Sequence, residues 1–202
     1  MIHKFNHFAI ISNKKCITFA GTIFDSFYGI MKKLIAFALL LCCFAAGAQN
    51  FEGTFKQAKT LKVSGRVIKS EGNITFTAPD QLAMIYTNPD GDYFIIDGPF
   101  VRMDLRGVAL DVDTKTNKLV ASQRNALLYS ITGEYEKVAK EMDADITVTQ
   151  KNGGKHVVIK AKKAVARGYS GLELDYGKDG RITRMVLEEF GGISTEYILT
   201  VK

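Results

Sequence analysis

The feature that most limits how this chain of 202 residues can fold is an alternation of apolar and polar side chains in short segments. The clearest segments are 73–78, 100–105, 108–113, 146–149 and 172–175, and in each of them every second residue is apolar. A period of two is typical of antiparallel strands with one apolar face and one face in contact with water. The alternation therefore predicts a mainly β protein.

Short turn signals lie between these segments. They are Asn88-Pro89-Asp90-Gly91, Asp97-Gly98, Asn152-Gly153-Gly154 and Lys178-Asp179-Gly180. Turns of this composition join neighbouring antiparallel strands. Because their spacing is short and no helices alternate with the strands, we expect a single meandering sheet and not a parallel βαβ array.

Two segments depart from the period of two. In 126–142 the apolar residues recur mostly at steps of three and four, which predicts helix, and Thr132-Gly133-Glu134 can divide it into two short helices. Phe51, Phe55 and Ala58 show the same spacing and predict a short N-terminal helix. The expected fold is one strongly curved antiparallel sheet with short helices covering its concave apolar face.

The N-terminal part has the pattern of a secretory signal peptide. Met31-Lys32-Lys33 precedes the apolar run 34–44, and Ala46-Gly47-Ala48 is a small-x-small cleavage motif. The run is shorter than the roughly 20 residues that span a bilayer. We therefore expect a signal peptide at 31–48, cleavage at Ala48-Gln49, and a mature, exported domain at 49–202.

Residues 1–30 fit neither part, and we expect an assigned start that lies upstream of the true one; the alternative is an unusually long leading region. Cys42 and Cys43 raise a second alternative, a lipid-anchored protein. Leu41 precedes Cys42, where a lipoprotein signal needs a small residue, so the sequence favours export without an anchor.

Charge and cysteine content exclude several classes of protein. The net charge of the whole chain is +6, but 49–202 holds 22 Lys and Arg against 20 Asp and Glu, so nucleic acid is not an expected partner. One basic run remains, at Lys160, Lys162, Lys163 and Arg167; it is either a solvated outer face or a docking patch for an anionic membrane or an acidic partner. All three cysteines precede residue 49, which leaves the mature domain without disulfides.

No catalytic or metal-binding pattern stands out. His156 is the single histidine after residue 48, and no cysteine there can act as nucleophile or metal ligand. Gly168-Tyr169-Ser170-Gly171 is not a nucleophile elbow. Asp111-Val112-Asp113 is followed by residues that do not suit a calcium loop. The sequence therefore predicts a protein that is not an enzyme and that has no cofactor.

Three consecutive segments carry a resemblance to a known family. Segments 76–82, 85–90 and 94–98 resemble, in order and spacing, the periplasmic outer-membrane lipoprotein carrier family, LolA. The helical region 126–142 and the last hairpin, at 177–180, also fall where that family has them. Each motif alone is turn chemistry, and only the order of the motifs over nearly all of the mature chain makes the resemblance specific.

The resemblance implies a half-open β-barrel with lid helices over a hydrophobic cavity. It implies a monomeric periplasmic carrier that takes lipoprotein acyl chains from an inner-membrane ABC transporter to an outer-membrane receptor. Since each buried CH₂ group is worth about 0.8 kcal/mol, acyl chains can cross water only inside an apolar cavity. Two alternatives stay open: a periplasmic domain that binds or senses another amphiphile, such as a fatty acid or glycolipid, and a lipid-anchored outer-membrane receptor.

The expected acyl-chain site combines apolar side chains of the concave sheet face and the lid. These residues are Ile74, Phe76, Leu82, Met84, Tyr86, Phe94, Ile96, Val101, Met103, Leu105, Leu127, Leu128, Tyr135 and Met142. The alternative is that the same side chains form a fully packed core. No metal ligand is expected among them.

The sequence departs from the family at two positions. Ala78 stands where the family typically has an arginine that holds the lid shut, and Met84 stands where it has a tryptophan. Methionine adapts to irregular apolar surroundings, so the cavity is still expected. Without the arginine, the lid is expected to open at a lower cost.

Overall fold

The computed structural model describes residues 50–163 and 167–202. The expected upstream start at 1–30 and the expected signal peptide at 31–48 lie outside the described residues. Within them, no helix is long and apolar enough to cross a membrane.

The described part of the chain forms eleven strands and two helices. The strands are β1 (Phe51–Leu61), β2 (Arg66–Thr77), β3 (Gln81–Asn88), β4 (Asp90–Asp97), β5 (Phe100–Leu105), β6 (Val108–Asp113), β7 (Ala144–Lys151), β8 (Gly154–Ala161), β9 (Tyr169–Tyr176), β10 (Ile182–Glu189) and β11 (Ile193–Val201). The helices are α1 (Lys118–Ile131) and α2 (Tyr135–Glu141).

All eleven strands belong to one antiparallel sheet, in the order β6-β5-β4-β3-β2-β1-β11-β10-β9-β8-β7. The chain runs outward from β1 to the edge strand β6, crosses to the opposite edge at β7 through the two helices, and returns to β11. The first and last strands then pair in the middle of the sheet, from Gly53 opposite Val201 to Leu61 opposite Ile193. Because β6 and β7 are not paired with each other, the sheet is a half-open barrel. The predicted fold class is confirmed.

The predicted N-terminal helix is wrong, because residues 51–61 form β1. A spacing of four residues satisfies both a helix and a strand, and Phe51 and Phe55 are buried on one face of the strand. Gly53 lies between them against β11, where a Cβ atom would be 2.2 Å from the carbonyl oxygen of Thr200. The sheet partner thus decides this element, and glycine allows the close approach.

The helical region begins eight residues before the predicted 126. Its cap is Asn117, whose Oδ1 accepts a hydrogen bond of 3.2 Å from the Val120 backbone N–H. The predicted division at Thr132-Gly133-Glu134 is confirmed, since α1 ends at Ile131 and α2 begins at Tyr135. Gly133 has a φ of +77°, a conformation that suits the end of a helix.

Beneath α2 the concave face of the sheet is packed. Val138 of α2 is 1% exposed, and Val157 and Leu174 in β8 and β9 are 0% exposed. The hydroxyl of Tyr176 donates a 2.8 Å hydrogen bond to the carbonyl oxygen of Ser130, which ties the end of α1 to β9. This half of the barrel is an ordinary close-packed core.

The outer face of β7–β10 carries a charged network centred on Asp175. His156 Nδ1 lies 2.6 Å from Asp175 Oδ1, Lys151 Nζ lies 3.3 Å from the carboxylate, and Arg184 Nη1 lies 3.5 Å from Oδ2. Burial alone would raise the pKa of Asp175, but the hydrogen bonds from His156 and Lys151 outweigh it, so that this pKa lies below its usual value.

We expect Asp175→Asn to destabilise the protein by about 1–3 kcal/mol at neutral pH, since it removes charge-assisted hydrogen bonds at a largely buried site. Because the pKa of Asp175 is lower in the folded protein than in the unfolded chain, its carboxylate stabilises the fold at pH values above the ordinary Asp pKa of about 3.9. This contribution is lost as the pH falls through the folded-state pKa. Urea denaturation across the acid range should show the two proteins converging below about pH 4. The control, Asp111→Asn, removes an exposed pair with Arg102 and should change stability by less than about 0.5 kcal/mol.

Candidate functional site

Between α1 and the concave face of the sheet lies a cavity of about 250 Å³. One cross-strand row supplies much of its wall, because Ile74, Met84, Phe94, Met103 and Leu110 are successive partners on β2 to β6. All five line the cavity. Side chains opposite one another in an antiparallel sheet share a face, so register alone builds a continuous apolar surface here.

Most of the residues predicted for an acyl-chain site line this cavity. They are Ile74, Leu82, Met84, Tyr86, Phe94, Val101, Met103, Leu105 and Leu127. The others do not line it and instead pack in the surrounding core: Phe76, Ile96, Leu128, Tyr135 and Met142. Arg102, between Val101 and Met103, is exposed on the outer face, as the alternation predicts.

The helical wall of the cavity is a stripe along α1. Val120, Gln123, Arg124, Leu127 and Ile131 line the cavity at the spacing of one helix face. Only Leu127 of this set was expected from the sequence. The others were missed because the helix was predicted to begin at 126 and because Ile131 was not assigned to the site; the cap at Asn117 is the signal that places the start correctly.

The centre of the sheet contributes a further part of the wall that the sequence did not indicate. Met185, Leu187 and Leu199 of β10 and β11 line the cavity with side chains that are nearly fully buried. No face was assigned to these strands from the sequence. They reach the site because β11 pairs with β1.

One end of the cavity is polar. Gln57, Lys59, Tyr169, Glu189 and Tyr197 line it there, and the side-chain amide of Gln57 donates a 3.2 Å hydrogen bond to the hydroxyl of Tyr197. Gln57 and Lys59 were missed because β1 was taken for a helix, and the other three were missed because their strands, β9 to β11, were not assigned to the site. Read as a strand, the alternation after Phe55 brings Gln57 and Lys59 to the same face.

Three phenols of the cavity wall, Tyr86, Tyr169 and Tyr197, stay protonated at neutral pH. Burial raises the pKa of Tyr86 to about 12, and burial also raises the pKa values of Tyr169 and Tyr197. Each phenol can therefore donate and accept a hydrogen bond. An amphiphile in the cavity would find apolar walls for its chain and hydrogen-bonding groups at one end.

An arginine of α1 latches the helix to the turns of the sheet. Arg124 Nε donates a 2.7 Å hydrogen bond to the carbonyl oxygen of Gly98, and Nη2 lies 3.1 Å from Asp80 Oδ2. Nη1 donates to the neighbouring Asn125, whose amide in turn reaches Glu141 at the end of α2. The two helices and two turns are thus joined by one polar network, which we call the Arg124 latch.

The Arg124 latch is relevant to the expectation that the lid, which includes α1, opens at a lower cost than in the family. That expectation followed from Ala78 in place of the family's arginine, and Ala78 indeed has no side chain that could bond the lid. Here the guanidinium comes from the helix and its acceptors, Asp80 and Gly98, come from the sheet. The absence of an arginine at 78 therefore does not leave the lid without a polar contact.

The described residues contain one histidine, and it does not line the cavity. His156 contacts Asp175 on the outer face, away from the cavity lining. In the same described ranges, no group of three His, Cys, Asp or Glu side chains could hold a metal ion. The cavity wall contains apolar groups, amides, phenols and a few charges, which suit binding.

Comparison with known proteins identifies the family. A model of the family "Outer membrane lipoprotein carrier protein LolA" matches residues 46–201. A comparison with curated proteins finds no match.

Solved structures with a similar arrangement have low identity to this chain. A LolA superfamily protein from Nitrosomonas europaea is 10% identical, with 77% of this chain and 86% of that chain covered and a TM-score of 0.38. The lipoprotein LppX from Mycobacterium tuberculosis is 13% identical, with 77% and 87% covered and a TM-score of 0.35. In the MucA/MucB complex of Pseudomonas aeruginosa, the matching chain is 13% identical, with 78% and 53% covered and a TM-score of 0.42. Similarities at this level do not bear on function.

The family match extends over every strand and both helices of the described sheet, including the cavity and the latch. The protein therefore belongs to the outer membrane lipoprotein carrier protein LolA family.

Proposed function

We propose that this protein binds the acyl chains of lipoproteins in the cavity under α1 and carries them through the periplasm from the inner to the outer membrane. The observation that carries the proposal is an apolar cavity, walled by Met84, Phe94 and Met103, in a chain of the LolA family. Its partners would be an inner-membrane ABC transporter and an outer-membrane receptor. The protein would act by binding and release and not as an enzyme.

The proposal includes export. Residues 31–48 would act as a signal peptide cleaved at Ala48-Gln49, and 49–202 would be the carrier domain, with 1–30 upstream of the true start. N-terminal sequencing of the exported protein tests this boundary. A first residue other than Gln49 would overturn it.

The size of the cavity bears on the cargo. Its volume of about 250 Å³ lies below the roughly 300–1,000 Å³ of sites for drug-sized ligands. A single acyl chain suits such a space, whereas a triacylated lipoprotein needs more room. Loading with three chains would therefore require α1 to move away from the sheet, which the Arg124 latch opposes.

A second function is favoured by the same volume and by the polar end at Lys59 and Tyr197. In this alternative the domain binds or senses a single-chain amphiphile, such as a fatty acid, with the polar group toward Lys59. It shares the cavity with the carrier function and differs in the cargo.

The test is displacement of a fluorescent fatty acid by two competitors, an unlabelled fatty acid and a synthetic triacylated lipopeptide. The carrier function predicts that both displace the probe, and the second function predicts displacement by the fatty acid alone. If the probe does not bind at all and mass spectrometry of the purified protein finds no acyl compound, both functions are contradicted.

We expect Met103→Glu to weaken binding of the probe at least about tenfold, because a carboxylate in the apolar wall must lose water when an acyl chain enters. The matched control is Ile85→Glu, at a side chain that is 46% exposed and is not part of the cavity wall. Equal affinities of the two variants would show that the chain does not bind where the cavity lies.

A further inference from the structure

Two turns of the sheet lie side by side next to the polar end of the cavity. They are the β1–β2 turn, 62–65, and the β10–β11 turn, 190–192. The backbone N–H of Lys62 donates a 2.8 Å hydrogen bond to the Gly192 carbonyl oxygen, and Lys62 Nζ pairs with Glu188 Oε2 at 2.5 Å. The Phe190 N–H also donates a 3.1 Å hydrogen bond to the carbonyl oxygen of Gly168, the residue before β9.

These turns expose large apolar side chains at their tips. Val63 is 93% exposed, more than any other large apolar side chain of the described residues, and Phe190 is 56% exposed. Since the backbone bonds hold the two turns together, both side chains belong to one surface. An apolar side chain gains nothing from such a position in water, and clusters of this kind mark contact surfaces.

The same surface carries basic side chains. Arg66 follows the first turn and Arg167 precedes Gly168; both are exposed, and within the described residues neither has an ion pair. Lys62 is balanced by Glu188, and Glu189, next to Phe190, lines the cavity. The tip therefore has an excess of positive charge around its apolar residues.

We propose that this tip, made of Val63, Phe190, Arg66 and Arg167, docks on the surface of a bilayer that contains anionic phospholipids. Exposed apolar side chains enter the boundary between headgroups and acyl chains, while arginines remain among the phosphates. An acidic protein would complement the arginines but would not require two apolar side chains at the protruding ends of turns. The bilayer accounts for both features.

Docking in this way relates the tip to the cavity. Lys59 and Glu189 line the polar end of the cavity. In the chain, Lys59 lies four residues before Val63, and Glu189 lies next to Phe190. The polar end would then face the headgroup region, from which an amphiphile enters or to which it leaves. The exchange of an amphiphile with the bilayer rests on the proposed function, whereas binding of the tip to vesicles does not depend on a ligand in the cavity.

The absence of tryptophan from the chain permits a direct measurement. In Phe190→Trp the new indole is the sole tryptophan signal, and we expect its emission to shift to shorter wavelength with vesicles of phosphatidylcholine and phosphatidylglycerol in equal parts. Vesicles of phosphatidylcholine alone should give little shift. Phe100→Trp is the matched control, because Phe100 is an exposed phenylalanine beside an arginine, Arg102, at the opposite end of the sheet.

Co-sedimentation with the same vesicles measures affinity. Each basic side chain near an anionic surface strengthens binding about fivefold, so Arg66→Glu should weaken it by roughly 25-fold. Arg102→Glu, which reverses a charge far from the tip, should leave it unchanged. High salt should weaken binding of the unaltered protein. All variants share the same N-terminal segment, so any contribution of that segment to vesicle binding is the same in each of them.

The outcomes separate this inference from the proposed function. A shift in Phe190→Trp but not in Phe100→Trp, with weaker binding by Arg66→Glu alone, supports the docking tip. Equal behaviour at the two ends, or no binding to the anionic vesicles, overturns it even if the fluorescent fatty acid binds normally. Loss of fatty-acid binding with vesicle binding intact contradicts the proposed function and leaves the tip standing.

Discussion

Leu174→Glu is expected to unfold the domain, with a loss of at least about 4 kcal/mol in the free energy of unfolding. Leu174 is 0% exposed, and its neighbours across the sheet are Val157 in β8 and Met185 in β10, both nearly fully buried. A carboxylate there would be buried without a partner, which costs several kcal/mol. Urea denaturation followed by circular dichroism measures the loss, or shows that the variant is unfolded without denaturant.

The matched substitution in the other half of the barrel is Met103→Glu, which places the same charge on the same concave face. Met103 is half-buried and lines the cavity, so the carboxylate can keep water around it. The expected loss of stability is below about 1.5 kcal/mol. If Met103→Glu unfolds the protein as Leu174→Glu does, the cavity half is packed core and the acyl-binding proposal loses its physical basis.

Arg124→Met is expected to loosen α1 from the sheet. The guanidinium is 15% exposed and makes hydrogen bonds to Gly98 and Asp80, and bonds of this kind with a charged partner contribute about 1.5–3 kcal/mol. A loss of about 2 kcal/mol should speed hydrogen exchange of the α1 amides roughly 30-fold, while the amides of β8 and β9 keep their protection. Methionine retains the apolar bulk of the side chain, which limits the change to the polar contacts.

The control for the latch is Arg102→Met, which removes an exposed ion pair 3.5 Å from Asp111. It should leave exchange in α1 unchanged, since exposed pairs contribute little. Entry of the fluorescent fatty acid should be faster in Arg124→Met if movement of α1 limits loading. Unchanged exchange in α1 would show that packing of Leu127 and Ile131, and not the latch, holds the helix.

The sequence by itself determined the local structure and the class of the fold. Alternation in 100–105 and 108–113, with turn residues such as Asn88-Pro89-Asp90-Gly91 between strands, depends only on near neighbours, and these strands are where it predicted them. The division of the helices at Gly133 is a local effect of the same kind. Since register follows from these patterns, the apolar row from Ile74 to Met103 could also be expected on the concave face.

Tertiary structure alone decided which parts of that face are core and which are cavity. Residues 51–61 satisfy two periods, and pairing with β2 on one side and with β11, at the far end of the chain, on the other makes them a strand, which brings Gln57 and Lys59 into the wall. Leu174 and Met103 follow the same alternation, yet the first is fully buried in the packed core while the second lines an open space. Arg124 gains its role because α1 crosses to turns that are distant in sequence. Such contacts depend on where the helices lie across the sheet, and no local pattern of residues contains that information.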